Sequence, residues 1–155
     1  MSATIDNLSN LPRAVVSRIV HRVLDELEVN LPWVRVRVFE TDHWHHHGHI
    51  YIRPGRSNCL IIARVPSVVS DHPHDRKMRG GPPPIIVKTW QVALVCILAH
   101  EGTHLRQFLK RPKRGDHTRF VRGKPVKVGP KIFSEVEAEW AEYRFLKSYR
   151  ERRNR

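Results

Sequence analysis

From Trp90 to Ala99 the chain reads WQVALVCILA, apolar nearly all round a helix, and it runs without a break into His-Glu-Gly-Thr-His. A helix with no polar face has to be covered on every side, so whatever this chain folds into is built around that segment. Between Ile85 and Lys110 the only glycine or proline is Gly102, and Pro112 supplies the stop. The pattern predicts one buried central helix over Ile85 to about Lys110.

The remaining segments are candidates for covering it. From about Asn10 to Glu28, Val15, Val16, Ile19, Val20, Val23, Leu24 and Leu27 recur at helical spacing, with Ser9 or Asn10 as cap and Pro12 in the first turn. Trp33 to Phe39 (WVRVRVF) alternates strictly, as a half-buried strand does. His49 to Arg53 and Asn58 to Val65 read as two further strands joined by the turn residues Pro54-Gly55-Arg56-Ser57, so an antiparallel meander is expected. Pro66 to Pro84, about 19 residues rich in proline, reads as a lid-like loop. Arg111 to Lys131 reads as a basic loop, and a last helix starts at Ser134, where Ser134 and Glu137 make a capping box.

The expected architecture is one α+β domain over 1–155: an N-terminal helix, a three-stranded, mostly antiparallel sheet, the central helix and a glutamate-bearing C-terminal helix. The first nine residues and the basic tail 150–155 are expected to lie outside its ordered part. A chain of 155 residues buries roughly two-thirds of its unfolded surface and needs no disulfide scaffold. Cys59 and Cys96 sit inside apolar runs and read as reduced core thiols, which suits a cytoplasmic location. The N-terminus has no signal-peptide pattern, and the longest apolar run falls well short of the roughly 20 residues that cross a bilayer, so no membrane partner is expected.

Formal net charge is +13 and the isoelectric point is near 10.7, so polyanions such as nucleic acid are attracted non-specifically. The cations are densest in Lys110 to Lys131 and in the tail from Lys147 to Arg155. Neither an RNP1 motif nor a zinc-finger spacing is present, and aromatic interleaving in the tail is limited mainly to Phe145 and Tyr149. A nucleic-acid-associated protein with a structural or auxiliary metal site is the alternative reading.

His100-Glu101-Gly102-Thr103-His104 matches H-E-x-x-H. Two histidines four apart on a helix project from one face about 5 to 6 Å apart at Cβ, near enough to share a metal. Glu101, beside the first of them, would reach the open coordination position and act as general base on a water. Random placement of the 11 histidines and the glutamates gives roughly 0.04 matches to this pattern. Zinc sites of this type take three protein ligands. Position 107 is Gln and 110 is Lys, which excludes the variant with a third histidine on the same helix.

A carboxylate from the last helix is the remaining common solution. Glu135, Ala138, Glu139 and Glu142 share one stripe, next to the stripe of Val136, Trp140 and Tyr143. Glu135 could ligate while Glu139, one turn on, orients a ligating imidazole. Glu139 itself and His117 are the alternative third ligands, and an acidic first turn also simply complements the helix dipole.

On LAHEGTH and on Glu135-Val136-Glu137-Ala138-Glu139, in the order helix, three strands, helix, helix, the chain resembles the gluzincin clan of zinc metallopeptidases, particularly the small minigluzincins. The resemblance covers most of Asn10 to Arg150, and only HEGTH is a specific match. It implies Glu135 as third zinc ligand, with Ala138 and Glu139 in the positions after it. It also implies a peptide or protein substrate held on an edge strand beside the active helix, for which Asn58 to Val65 is the candidate. Tyr143 or a lid histidine is the candidate for oxyanion stabilisation. The cluster His43, His45, His46, His47 and His49 is a candidate second metal site or an inhibitory contact with the first, and a simple polar turn otherwise.

Overall fold

A computed structural model describes residues 1–42, 47–53, 58–67, 69, 72–74, 80–110, 117–122, 124–128 and 134–153, the backbone alone at 72–74, 117–121, 124–128 and 151–153. In chain order the elements are β1 (Thr4–Asn7), α1 (Arg13–Glu26), β2 (Val34–Thr41), β3 (His47–Arg53), β4 (Asn58–Pro66), β5 (His72–His74), β6 (Ile85–Val87), α2 (Trp90–Lys110), β7 (His117–Val121), β8 (Lys124–Val128) and α3 (Glu135–Arg153). The α+β class holds.

The sheet differs from the expected meander. Its order is β1-β2-β4-β3; β1 and β4 both run parallel to β2, and only β3 runs antiparallel, to β4. It is therefore four-stranded and mixed. After β2 the chain turns into β3 one slot away, and β4 returns into the gap, antiparallel to β3 and so parallel to β2. The polar tetrapeptide TIDN of β1 has no alternation to announce it. Its position is set by pairing with β2 and by Asn30, whose Oδ1 accepts the Ala3 amide at 2.8 Å.

The pleat separates the two sheet faces cleanly. Val34, Val36 and Val38 of β2 and Cys59, Ile61, Ala63 and Val65 of β4 are buried on one side, where the helices pack. Helix α2 carries the largest share of this core, with Leu94, Ile97, Leu98 and Leu105 essentially inaccessible; truncating any one to alanine would cost about 2–5 kcal/mol. Gly102, inside the motif, packs closely against the C-terminal end of α1: a Cβ there would lie 2.7 Å from Cδ1 of Leu27, the residue that caps α1. Cys59 and Cys96 are buried free thiols.

Several boundaries shift for physical reasons. Ile85–Val87 is a strand paired with β5, and α2 starts only at Trp90, because Thr89 caps it by accepting the Val92 amide at 3.2 Å. The β-branched run of Ile85 to Val87 suits a strand better than a helix. The segment read as a lid loop thus contributes β5, and the segment read as a basic loop contributes the hairpin β7–β8. Helix α1 begins with Pro12 as its cap residue; Ser9 turns to the Leu11 amide, 3.1 Å away, and Asn10 donates its own amide to Glu40. Among the described residues, no helix is long and apolar enough to cross a membrane.

Candidate metal centre

Helix α2 presents His100 and His104 one turn apart, and α3, packed against it, presents Glu135 from its first turn. Ser134 sets that first turn: its Oγ accepts the Glu137 amide at 3.2 Å, as the capping box predicts. The reciprocal half is altered. The Glu137 carboxylate accepts from Gln107 Nε2 at 2.9 Å, and the Ser134 amide donates to Gln107 Oε1 at 3.2 Å. Gln107, on the helix that carries both histidines, therefore fastens the start of α3 in place.

The two imidazoles aim the same nitrogen at Glu135. His100 Nε2 lies 3.0 Å from Glu135 Oε2, and His104 Nε2 lies 3.0 Å from Glu135 Oε1. The opposite nitrogens are occupied: His100 Nδ1 is 3.4 Å from Glu142 Oε2, and His104 Nδ1 donates to Gln107 Oε1 at 3.0 Å. Metal-binding histidines have this arrangement, one nitrogen on the ion and the other fixed by a carboxylate or carbonyl. His100, His104 and Glu135 are the one group among the described residues whose donor atoms could hold a metal ion, all lying within 4.8 Å of one another. Two imidazole nitrogens and a carboxylate are donors that suit a divalent metal, so the residues present fit such an ion.

Exposure grades across the site. The Glu135 side chain is 50% exposed and that of His100 21%, whereas His104 is at 6% and Glu142 at 3%. The centre therefore opens past Glu135 and closes toward the core. Glu101 is buried beneath β3: a Cβ on Gly48 would sit 2.7 Å from Glu101 Oε1 and 2.8 Å from Ile97 Cγ2. Only a residue without a side chain lets β3 lie this close to the carboxylate.

The electrostatics follow from these contacts. Burial works against charge on His100, but the hydrogen bonds to Glu135 and Glu142 outweigh it and raise its pKa to about 10. The same hydrogen bonds, from His100 and His104, hold Glu135 well below the usual carboxylate range. Glu101 is raised by burial, with the nearby His100 and His104 pulling the other way. Burial, helped by the charge of Glu101, pushes the Cys59 thiol up to about 12 and keeps it protonated and inert.

His100 and His104 thus converge as the motif suggests, and Glu135, which the resemblance implies as third ligand, lies with them. The carboxylate at His100 Nδ1 is that of Glu142, not Glu139, although both are buried on the same stripe of α3. Gln107 is a positioning residue that the motif does not announce; its spacing of three from His104 on one helix face is the available signal. The side chain of His117, the rival ligand, lies outside the described residues, as do His43, His45, His46 and the side chains of His72 and His74. His47 and His49 occupy β3 positions opposite Arg64 and Ile62, on the other face from Gly48 and Glu101, so neither contacts the metal centre from there. Tyr143 packs edge-on against Trp140, their ring centroids 5.8 Å apart.

The candidate peptide-binding strand needs correcting. Asn58–Pro66 is an interior strand with β2 on one side and β3 on the other; the edge strand beside α2 is β3. No protein-family model, curated protein or solved structure matches this chain.

Proposed function

We propose that this chain is a zinc-dependent metallopeptidase of the gluzincin type, with His100, His104 and Glu135 as ligands and Glu101 as general base. The observation that carries the reading is the orientation of the two imidazoles: both Nε2 atoms face Glu135, while Glu142 and Gln107 hold the two Nδ1 atoms. An accidental surface pair of histidines has no reason to be fixed on both sides. Zinc, when bound, would supply a Lewis acid that polarises a scissile carbonyl and brings the pKa of water toward neutrality. Glu101 would accept the proton of that water and pass it to the leaving amine, a role for which its raised pKa suits it. β3 is the edge strand of the four-stranded sheet, the position at which an extended peptide substrate would add by main-chain pairing.

Metal analysis of the purified chain against His104→Ala and Glu135→Ala tests the ligands: stoichiometric zinc in the parent and a large loss in both variants is expected. Unchanged zinc in Glu135→Ala would remove the third ligand. Glu101→Gln should keep its zinc and lose about 10²- to 10⁴-fold in peptide hydrolysis; equal activity would end its role as base.

A further inference from the structure

The sheet face turned away from the helices is the least explained surface of the molecule. The pleat brings Arg35 and Arg37 of β2, Arg64 of β4 and Arg53 of β3 to this side, all exposed or half-buried. Against these four guanidinium groups, Asp6 is the only carboxylate at an outward-facing position of the four strands. It is shared, its Oδ2 lying 3.2 Å from Arg35 Nη1 and 3.5 Å from Arg37 Nε. Even so engaged, the two arginine side chains remain 50% and 41% exposed. Along β3 the rings of His49 and Tyr51 stack with centroids 6.5 Å apart at 27°, on the same side as the arginines. A depression of about 680 Å³, lined by Arg35, Arg37, Tyr51, Arg53, Trp33 and Leu60 among others, lies at one end of the face.

We infer that this sheet face is a binding site for single-stranded nucleic acid, with the arginines on phosphates and the β3 rings stacking on bases. Charge complementarity selects a polyanion, because a surface with four cations and one shared anion repels any cationic partner. Among polyanions, the aromatic rings favour one with flat π-faces to stack, the combination by which sheet surfaces bind unpaired bases. A duplex keeps its bases stacked inside, so it offers the β3 rings no free π-face to stack on. A lipid surface calls for protruding apolar groups, and the large exposed apolar side chains, Met1, Leu8, Ile86, Leu109 and Trp140, all lie outside these four strands. The site does not depend on the metal centre, which uses the opposite side of the sheet.

Fluorescence anisotropy of a labelled single-stranded oligonucleotide, titrated with the full chain at several salt concentrations, tests this. Arg35→Ala/Arg37→Ala should weaken binding and flatten the slope of log affinity against log salt by about 1.4, near 0.7 for each phosphate no longer neutralised. Tyr51→Ala should weaken binding about fivefold or more and leave that slope unchanged, since stacking releases no counterion. Asp6→Asn should strengthen it. Each variant's circular dichroism spectrum and melting temperature serve as a folding check. Undiminished binding by Arg35→Ala/Arg37→Ala would overturn the inference, and so would its loss on Lys147→Ala/Arg150→Ala alone, which would put the site on α3. Equal affinity for heparin with no effect of Tyr51→Ala would reduce the face to a general cation patch and also overturn it. Binding only to phosphatidylserine vesicles, or arginine-dependent self-association in place of oligonucleotide binding, would do the same.

Discussion

On the helix side of the sheet, His100, His104, Glu135, Glu142, Gln107 and Glu137 hold one another in a closed set of contacts, and Glu101 is sealed beneath Gly48. On the opposite side, four arginines face solvent around a single shared carboxylate. Burial accounts for most of the contrast: Glu101, His104, Gln107 and Glu142 are buried, while Glu135 at the mouth is half exposed. Polar groups in the low-dielectric interior carry a large desolvation cost and persist only where partners fix their geometry, while exposed cations keep their water and stay adaptable. A set of fixed, mutually oriented donors suits coordination of one ion in one geometry. A loose array of cations suits a flexible polyanion whose charges repeat.

This contrast can be broken from the buried side with a single methyl group. Gly48→Ala would drive a Cβ into Glu101 and Ile97, so the carboxylate must move, and hydrolysis should fall about 100-fold with zinc content intact. Activity and metal analysis on one preparation would check it; full activity would mean that Glu101 works from another position. Next in size, Glu142→Gln removes the charge behind His100, and Gln107→Leu removes the acceptor behind His104. Each should lower zinc affinity about 10- to 100-fold, as measured by competition with a chelator. The pH dependence of stability probes the same contacts without a substitution.

In the metal-free chain the pKa of His100 is raised from 6.5 to about 10, so its contribution to stability is fully present below pH 6.5 and is lost as pH rises through about 10. Glu135 is shifted down, so its contribution is present above its ordinary value of 4.5 and is lost in acid. The metal-free melting temperature should therefore peak between about pH 4.5 and 6.5 and decline toward pH 10. Zinc needs neutral imidazoles, so the zinc-loaded protein should gain over the metal-free one as pH rises. Thermal melts of both forms across this range would check the opposite trends.

Much of the candidate metal centre is legible in the sequence because it is local. Helical periodicity alone puts His100 and His104 on one face, and a contiguous apolar run determines that this helix lies at the centre of the fold. Strict alternation likewise determines which residues of β2 face inward, whereas β4, apolar from Cys59 to Ala63, takes its inward side from its pairing with β2. Alternation also divides the arginines of WVRVRVF from its valines without any knowledge of the neighbouring strands.

What periodicity cannot carry is which strand lies beside which. The parallel pairing of β1, β2 and β4 and the edge position of β3 depend on hydrogen bonds between residues distant in the chain, for which the side-chain pattern is the same in either order. The pairing of Glu142, and not Glu139, with His100 depends on the rotation and depth at which α3 meets α2, set by contacts far from the motif. The basic face shows the same division. Sequence supplies the arginines and their common side, and only tertiary structure brings β2, β3 and β4 together so that charges separated along the chain form one surface. The physical reason is range: periodicity reports the neighbours of a residue along its own element, and a binding surface is made of neighbours across elements.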